Sequence, residues 1–416
     1  MKVPAHRNPD VIVIGGGIVG SSIALRLADA DLRVSVYDRG EPGAEASSAA
    51  AGMIAPQGEK TQSEAFSALS WESHGLYPEF VAEIEEASGR QVGYRRDGTL
   101  LVALDEQQSG DLEGIRRDRA PEAHQTPAGV PEDAPLSSEH LTVADLGQRV
   151  AGLSDPVLGA QFLPADHWVD NERLTAAVIE AARRRGVVFH ASRGVRTLCV
   201  HNDRLESIEA GGERVCAGEF VLAAGCWSGA LAASAGVAIP TAPCRGQMLE
   251  FELASPLPMV VRAGHFYLVP RAGNKAVVGT TAEYVGFEKS VTAEGMSSIL
   301  QAAIRLVPLL SEARFCRAWA GLRPDTADHL PVLGRSGVRG LTLATGHFRN
   351  GILLAPVTAK LIAEMIVANS APPAIEPFGA SRFPRRSESI DPAEARSVAK
   401  IGDGCGFRAL NPVRSR

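Results

Sequence analysis

The chain contains 416 residues, 45% of them hydrophobic and 22% charged, which is enough apolar material for two packed domains or one large one. Its formal net charge is -6 and its body has no long run of one sign, which argues against nucleic acid or an anionic membrane surface as the main partner. No run of about 18 apolar residues is evident, so we expect no membrane span.

The six cysteines form no C-x-x-C pair and have no histidine at metal-ligand spacing. We therefore expect reduced thiols, no metal site and a cytoplasmic protein. The polar N-terminus runs directly into a glycine-rich segment, which is unlike a secretory signal.

Residues 10–40 carry the pattern of a strand, a tight turn, a helix and a second strand. The apolar run DVIVI is typical of a strand buried on both faces of a parallel sheet, and VSVYD is predicted to be the next strand. Between them, GGGIVG is predicted to be a turn, and SSIALRLADADL has helical periodicity. Together these segments predict a βαβ unit.

Three glycines in this turn, Gly15, Gly17 and Gly20, match the pattern G-x-G-x-x-G. In that motif the first glycine permits the tight turn, the second lets a pyrophosphate approach the backbone, and the third lets the helix pack close to the strand. Asp38 ends the second strand, where a carboxylate accepts hydrogen bonds from ribose hydroxyls. The pattern favours a dinucleotide site over an ordinary turn, and it does not distinguish FAD from NAD.

The rest of the chain alternates between two kinds of pattern. Its first part predicts, in order, an irregular loop at 43–57, a helix at 67–87, a strand at 98–104 and a surface excursion with one helix at 105–140. Its second part predicts a helix and strand at 174–190, a strand and turn at 214–229, antiparallel strands at 241–320, and a strand, glycine turn and helix at 341–367.

This interleaving predicts two domains that are each assembled from separated stretches. The nucleotide-binding domain is expected to comprise 1–80, 150–240 and 321–380, and the second domain 81–149 and 241–320. The tail at 381–416 lacks apolar periodicity and is expected to be disordered.

Two C-terminal segments are the most distinctive in the chain, AWAGLRPDTADHLPVLG (318–334) and LATGHFRNGILLAPVTAKLIAEMI (343–366). Four shorter segments accompany them, EASSAAAGMIAP (45–56), VLAAGCWSG (221–229), HFYLVPR (265–271) and VVGTT (277–281). Together these segments resemble FAD oxidoreductases of the D-amino-acid oxidase superfamily, and especially the glycine oxidases of thiamine biosynthesis. The resemblance covers roughly residues 10 to 380. It implies an α/β fold in which a Rossmann-like FAD-binding domain with a parallel sheet is interleaved with an α+β substrate domain built on an antiparallel sheet.

The resemblance implies three residues that bind the substrate and take part in catalysis, namely Arg323, Arg349 and Tyr267. Arg323 is expected to bind the substrate carboxylate in bidentate geometry, against the alternative of an arginine paired to a core carboxylate. For Arg349 the alternative is a turn residue facing solvent, and for Tyr267 it is an ordinary strand aromatic. His265 and His347 are expected to be structural rather than catalytic bases.

The resemblance also implies the residues that bind the cofactor. They are Gly15, Gly17, Ile18, Val19, Gly20, Asp38, Arg39, Ser47, Ser48, Ala51, Gly52, Met53, Val195, Ala224, Gly225, Trp227, His347, Phe348, Arg349, Asn350, Gly351, Ile352 and Leu353. Neither Cys226 nor Cys316 stands in the flavin-attachment motif of sarcosine oxidases, so we expect noncovalent FAD. Ala282 follows VVGTT where a bulkier residue is expected, so a pocket lined by Ala282 would admit substrates larger than glycine.

The implied reaction is oxidative deamination of glycine, sarcosine or D-alanine, through an imino acid, to a 2-oxo acid such as glyoxylate, ammonia and hydrogen peroxide. It implies molecular oxygen as the acceptor and a link to the enzymes of thiazole synthesis. We expect a homo-oligomer that binds neither nucleic acid nor a membrane. The alternatives are a sarcosine oxidase-like enzyme, a D-amino-acid dehydrogenase that passes electrons to quinone, and a nucleotide-binding protein without turnover.

Overall fold

The structure is a computed structural model of the chain. It describes residues 8–58, 63–118, 139–141, 146, 149–150, 152–153 and 157–383. Of the predicted tail at 381–416, only the first three residues are described, and they lie within or directly after a short 3-10 helix. Most of the surface excursion predicted at 105–140 also lies outside the described residues, apart from one helix and the start of a strand.

The described part of the chain contains strands throughout its length. In chain order they are β1 (Val11–Ile14), β2 (Val34–Tyr37), β3 (Met53–Ile54), β4 (Thr99–Ala103), β5 (Glu139–Leu141), β6 (Gly159–Leu163), β7 (His167–Trp168), β8 (Val188–His190), β9 (Val195–His201), β10 (Arg204–Ala210), β11 (Glu213–Cys216), β12 (Glu219–Leu222), β13 (Ala242–Glu252), β14 (Val260–Ala263), β15 (Phe266–Arg271), β16 (Lys275–Gly279), β17 (Arg314–Asp325), β18 (Val332–Arg335) and β19 (Leu341–Thr345).

The α-helices connect these strands. They are α1 (Ile18–Asp29), α2 (Ala46–Ala49), α3 (Glu64–Ser88), α4 (Glu106–Asp118), α5 (Asn171–Arg184), α6 (Ser228–Ser234), α7 (Ala293–Leu306) and α8 (Gly351–Ala368). Short 3-10 helices occur at Gly225–Trp227, Pro308–Glu312, Pro373–Phe378 and Ala380–Arg382.

The first sheet has six strands in the order β18-β19-β12-β1-β2-β8. Its strands run parallel except β18, which pairs antiparallel with β19. β1 lies at the centre and is buried along its whole length, which explains its continuous apolar sequence. The βαβ unit predicted at 10–40 is therefore present in the structure.

Both faces of the parallel sheet are covered. Val11 and Val13 pack with helices α1, α3, α5 and α8 in one core, whereas Ile12 and Ile14 face the three-stranded antiparallel sheet β9–β11 on the other side. This division follows from the two-residue period of a strand, which sends alternate side chains to opposite faces. The two layers thereby hold the carboxyl ends of the parallel strands in position.

Helix α8 is long and apolar enough to cross a membrane, with a mean hydropathy of 1.8 over 18 residues. The helix is not an unbroken apolar run, because Lys360 and Glu364 lie within it. In addition, 67% of it is buried inside the protein, where it packs against α1 and α3. It is therefore explained as a core helix, because a helix that is apolar all round suits the interior of a large domain.

The second large sheet has eight strands in the order β17-β13-β16-β15-β14-β4-β6-β5. Most of its pairs are antiparallel, as the alternating pattern at 241–320 predicts, and β14 with β4 is a parallel pair. Helix α7 covers one face of it with Ile299, Ala303 and Leu306. The opposite face is turned toward the first sheet.

The predicted domain boundaries can be located on these elements. The boundary at 321 falls inside β17, which continues without a break through Asp325, and the boundary at 81 falls inside α3. Strand β6, within the stretch 150–240, belongs to the eight-stranded sheet. The division into two interleaved domains with those boundaries stays a prediction.

Candidate functional site

A cavity of about 380 Å³ lies between the carboxyl ends of the parallel strands and one face of the eight-stranded sheet. This volume falls in the usual range of small-molecule sites. All of the site residues predicted from the sequence line the cavity except Ser48 and Leu353. The hydroxyl of Ser48 donates to the carbonyl of Glu45, and Leu353 is buried in the helical core, where its carbonyl accepts from Ser73.

The glycine turn after β1 is sterically required. Gly15 has a φ of +106°, and a Cβ there would lie 2.4 Å from the carbonyl oxygen of Ala223. A Cβ on Gly20 would lie 2.0 Å from the carbonyl oxygen of Gly15, so only glycine lets helix α1 sit this close to the turn. The first turn of α1 has no acidic residue of its own, and its partial positive charge faces the cavity.

Asp38 lies beside this turn at the end of β2. One carboxylate oxygen accepts from the amide of Gly16 at 2.7 Å, and the other accepts from the amide of Gly40 at 2.9 Å. Burial raises the pKa of Asp38, and the two amide hydrogen bonds oppose that rise. The carboxylate is thus fixed at the cavity wall, in the position that suits a ribose hydroxyl.

The floor near α2 is built from small residues that pack backbone against backbone. A Cβ on Gly52 would lie 2.0 Å from the carbonyl oxygen of Val169, and one on Gly321 would lie 2.4 Å from the Cβ of Ala49. The Ser47 hydroxyl accepts from the amide of Ile18 at 2.9 Å. This close packing leaves no room for a larger side chain at either glycine.

A second helix N-terminus faces the cavity where α8 begins. Asn350 precedes the helix without a side-chain cap, and the first turn carries no acidic residue. The preceding turn is tight, with Gly346 at a φ of +73° and Phe348 at +47°. Two helix N-termini on one cavity suit an anionic or electron-rich ligand.

His347, in this turn, is buried and its Nε2 lies 3.1 Å from the hydroxyl of Thr358. Burial lowers its pKa to about 4, so the imidazole is neutral near pH 7. His265 lines the same cavity with an exposed side chain. The expectation that His347 is structural agrees with this locked, neutral state.

Arg39 closes one end of the cavity. Its guanidinium carbon lies 3.5 Å from the ring centre of Trp227, and it pairs with Glu45 at 2.5 Å. Glu45 also pairs with Lys289 at 2.8 Å, which ties the loop after β16 to the first half of the chain. Arg39, Glu45 and Trp227 thus form part of the cavity wall.

Arg323, near the end of β17, lies on the cavity wall. It donates to the carbonyl oxygen of Thr281 at 3.0 Å and to the hydroxyl of Thr280 at 2.7 Å. Within the residues described, no carboxylate forms a salt bridge with it. The alternative of an arginine paired to a core carboxylate therefore has no support from the described residues.

Tyr267 and Arg349 line the same cavity as Arg323. The Tyr267 side chain is buried and its hydroxyl lies 3.5 Å from the sulfur of Met248. Arg349 is exposed at the edge of the turn before α8. The three predicted substrate residues are thus brought to one cavity from β15, β17 and the loop after β19.

A polar network lies behind Arg323. The buried carboxylate of Asp325 accepts from the hydroxyl of Tyr284 at 2.5 Å and lies 2.7 Å from Nδ1 of His329. The hydrogen bond to Asp325 raises the pKa of His329, and His329 stacks on Phe348 with ring centres 5.0 Å apart. This network fixes the turn that carries Arg349.

The sequence reasoning missed several cavity residues, among them Met248, Arg262 and Thr280, whereas Ala282, which it noted, does line the cavity. The detectable signal for Arg262 is a single charge within the apolar strand VVRA. A buried strand rarely carries an unpaired charge without a reason.

Comparison with known proteins identifies the family. The model of the family described as "DAO: FAD dependent oxidoreductase" matches residues 10–365. The chain is 31% identical over 380 residues to a glycine oxidase of Geobacillus kaustophilus, covering 90% of this chain and 97% of that one. It is 35% identical to the "Bifunctional protein ThiO/ThiG" of Trichormus variabilis, covering 91% of this chain and 56% of the relative. The chain thus spans about half the length of the bifunctional relatives.

Solved structures agree. The crystal structure of the glycine oxidase from Geobacillus kaustophilus matches with a TM-score of 0.82 at 30% identity, over 91% of this chain and 99% of that one. An iminodiacetate oxidase from a Chelativorans species matches with a TM-score of 0.78 at 27% identity, over 89% and 98% of the two chains. The predicted fold class is confirmed. The glycine turn after β1, the fixed Asp38 carboxylate and the two helix N-termini fit a flavin dinucleotide. The chain belongs to the family of FAD dependent oxidoreductases.

Proposed function

We propose that the chain catalyses the oxidative deamination of glycine, or of a similarly small amine such as sarcosine or D-alanine. With glycine, the overall reaction consumes oxygen and water and yields glyoxylate, ammonia and hydrogen peroxide. The observation that carries this proposal is Arg323, a guanidinium on the cavity wall whose hydrogen bonds go to a hydroxyl and a carbonyl rather than to a carboxylate.

Arg323 is proposed to bind the substrate carboxylate. A guanidinium has five N–H donors, and Thr280 and Thr281 use one each, which leaves donors for a bidentate carboxylate. The same two hydrogen bonds hold the guanidinium plane in place, so the group that orients the substrate is already positioned before the substrate binds. Tyr267 and Arg349 are proposed to complete the carboxylate site from neighbouring elements.

The predicted cofactor residues are proposed to hold FAD without a covalent bond. FAD, when bound, supplies the acceptor for the hydride that leaves the substrate's α-carbon. The turn at Gly15 and the start of α1 are proposed to receive the pyrophosphate, Asp38 a ribose, and the turn at 347–353 the ring. Ser48 and Leu353, which do not line the cavity, are proposed to act indirectly.

The substrate amine is proposed to react in its neutral form, with no obligatory base from the protein. His347 supports this reading, since its pKa of about 4 makes it a weak base and its Nε2 is engaged with the hydroxyl of Thr358. A cavity that holds the carboxylate beside positive charge also disfavours a second positive charge on the amine. The chain's own contribution is then orientation, exclusion of water and electrostatics.

The names of the relatives support a metabolic pathway for the reaction. Some are named glycine oxidase, and others join a matching half to a second part in one chain named ThiO/ThiG. We propose that the product feeds thiazole synthesis in thiamine biosynthesis, with enzymes of that step as partners and oxygen as the co-substrate. We also propose a cytoplasmic homo-oligomer. The free state of the described cysteines is in keeping with a reducing compartment.

The direct test is to purify the protein with FAD and to measure hydrogen peroxide with glycine, sarcosine, D-alanine and D-proline. We expect peroxide with glycine and bleaching of the visible flavin absorbance under anaerobic glycine. Size-exclusion chromatography of the same sample tests the oligomer.

Two results would replace the proposal. Turnover only with an added dye and without oxygen uptake would indicate a dehydrogenase. A flavin spectrum that no small amine changes would indicate a nucleotide-binding protein without turnover.

A further inference from the structure

His329 lies in the turn after β17 and packs against the turn that carries Arg349. Its imidazole stacks on the ring of Phe348, with ring centres 5.0 Å apart and 24° between the two planes. Phe348 lines the cavity and directly precedes Arg349, which lines it too. His329 lies behind this wall rather than on it, so it can influence a ligand only through the turn.

His329 is held in place by the buried carboxylate of Asp325, which follows Arg323 by two positions on β17. One carboxylate oxygen lies 2.7 Å from Nδ1 of His329 and accepts from the amide of Thr326 at 2.9 Å. The other oxygen accepts from the hydroxyl of Tyr284 at 2.5 Å. The side chain of Asp325 is 3% exposed and that of His329 is 48% exposed. One edge of the imidazole is therefore anchored inside the protein, although the ring reaches the surface.

The turn that His329 supports has an unusual backbone. Phe348 has a φ of +47°, a conformation that residues other than glycine keep only where their surroundings hold it. Its amide donates to the carbonyl of Pro324 at 2.8 Å, so the segment that contains Asp325 holds the backbone of Phe348 while His329 holds its ring. Because Arg349 has a long and exposed side chain, the place of this backbone decides where its guanidinium can reach.

The charges around His329 also connect it to Arg349. The hydrogen bond to Asp325 is the largest influence on the pKa of His329 and raises it, as does the charge of Asp328. The charge of Arg349 acts in the opposite direction, so the two groups are close enough to interact. Asp328 is itself paired with Arg382 at 2.7 Å. Where the imidazole is protonated, an anion bound near Arg349 relieves the repulsion between the two cations.

We propose that His329, anchored by Asp325, is a positioning residue that holds the Phe348–Arg349 turn where Arg349 can reach the substrate carboxylate. This inference rests on the proposed binding of that carboxylate by Arg323 and Arg349. The competing explanation is that His329 serves only as a hydrogen-bond partner for the buried carboxylate of Asp325. In that case its removal would lower stability and leave ligand affinity unchanged.

The experiment uses the FAD-loaded enzyme and the variants His329→Asn, Arg349→Met and the double variant. His329 has a φ of +58°, and asparagine adopts that conformation readily, so His329→Asn removes the ring without straining the backbone. The matched control is His201→Asn, because His201 ends β9 with 70% of its side chain exposed and lies 3.6 Å from Glu206. The probes are acetate, which is the carboxylate part of glycine, and acetamide, which has the same shape without the charge. Both are titrated by the change in visible flavin absorbance.

We expect His329→Asn to weaken acetate binding and to raise KM for glycine about tenfold, with kcat within about threefold of native, because a binding group is misplaced. Acetamide binding should stay within about twofold, since a neutral amide gains little from Arg349. Arg349→Met should weaken acetate binding about 30-fold, and the double variant should do no worse, since His329 acts through Arg349. His201→Asn should behave as the native enzyme.

Unchanged acetate affinity in His329→Asn would overturn the inference, and a lowered melting temperature in that variant would then mark His329 as a partner of Asp325 alone. Losses that multiply in the double variant would also overturn it, because His329 would then act independently of Arg349. His329→Gln, which keeps a donor for Asp325 but lacks the ring, decides the matter if His329→Asn does not fold. Acetate binding that depends on both residues in an enzyme that oxidises no amine would refute the proposed function and leave this positioning role standing.

Discussion

Replacing Arg323 with methionine removes the guanidinium while keeping much of the side-chain volume. The native group makes hydrogen bonds of 3.0 and 2.7 Å that orient it toward the cavity. A hydrogen bond to a charged group contributes about 1.5–3 kcal/mol, so loss of a bidentate carboxylate contact amounts to about 3–6 kcal/mol. Since about 1.4 kcal/mol is a tenfold change, we expect kcat/KM for glycine to fall by roughly 10² to 10⁴.

The assay is peroxide release at several glycine concentrations, with flavin content measured from the visible absorbance of each preparation. Arg323→Lys is expected to recover part of the loss, because lysine supplies the charge but not the planar pair of donors. Arg314→Met serves as the control on the same strand. If Arg323→Met retains activity within tenfold of the native enzyme at full flavin content, the carboxylate is held elsewhere and the reasoning is refuted.

Three further changes test other parts of the site. Gly15→Ala places a Cβ 2.4 Å from the carbonyl oxygen of Ala223, so we expect loss of bound FAD. Full flavin content in the purified variant would contradict the proposal that this turn binds the cofactor. Ala282→Met should raise KM for sarcosine and D-alanine about tenfold relative to glycine by filling the wall; equal changes would place residue 282 outside the substrate pocket. The buried His347 has a pKa near 4, so acidification from pH 6.5 toward 4 should lower stability by up to about 3 kcal/mol, because only the unfolded imidazole gains its proton. His347→Gln should flatten this decline in melting temperature, and an unchanged slope would assign it to other groups.

The first half of the site follows from local sequence. The run DVIVI, the glycine triplet and Asp38 are neighbours in the chain, so hydrophobic period and turn chemistry suffice to predict the βαβ unit and its anion-binding turn. Arg323, Arg349 and Tyr267 were reached through resemblance, and the structure brings them to one cavity. Their roles stay predictions.

Other positions depend on geometry that local sequence does not encode. Ser47 and Ser48 are adjacent and chemically identical, but the short helix α2 turns one hydroxyl to the amide of Ile18 and the other to the carbonyl of Glu45. Leu353 follows two cavity residues, and the helical rotation of 100° per residue carries it into the core. In both cases a shift of one position along a helix separates a residue that lines the cavity from one that does not.

Arg262 shows most clearly how little local sequence says about the cavity wall formed by the eight-stranded sheet. Its neighbours on the sheet come from β4 on one side and β15 on the other, and β4 lies about 160 residues earlier in the chain. Only the register of those strands tells that Arg262 and Tyr267 share a face. The nucleotide half of the cavity is built from backbone amides and glycine turns, whereas its other wall is built from side chains in sheet register. A substitution in the row that contains Tyr267 can therefore alter the sheet wall of the cavity while the glycine turn after β1 stays intact, so cofactor content and substrate turnover are separately measurable in this chain.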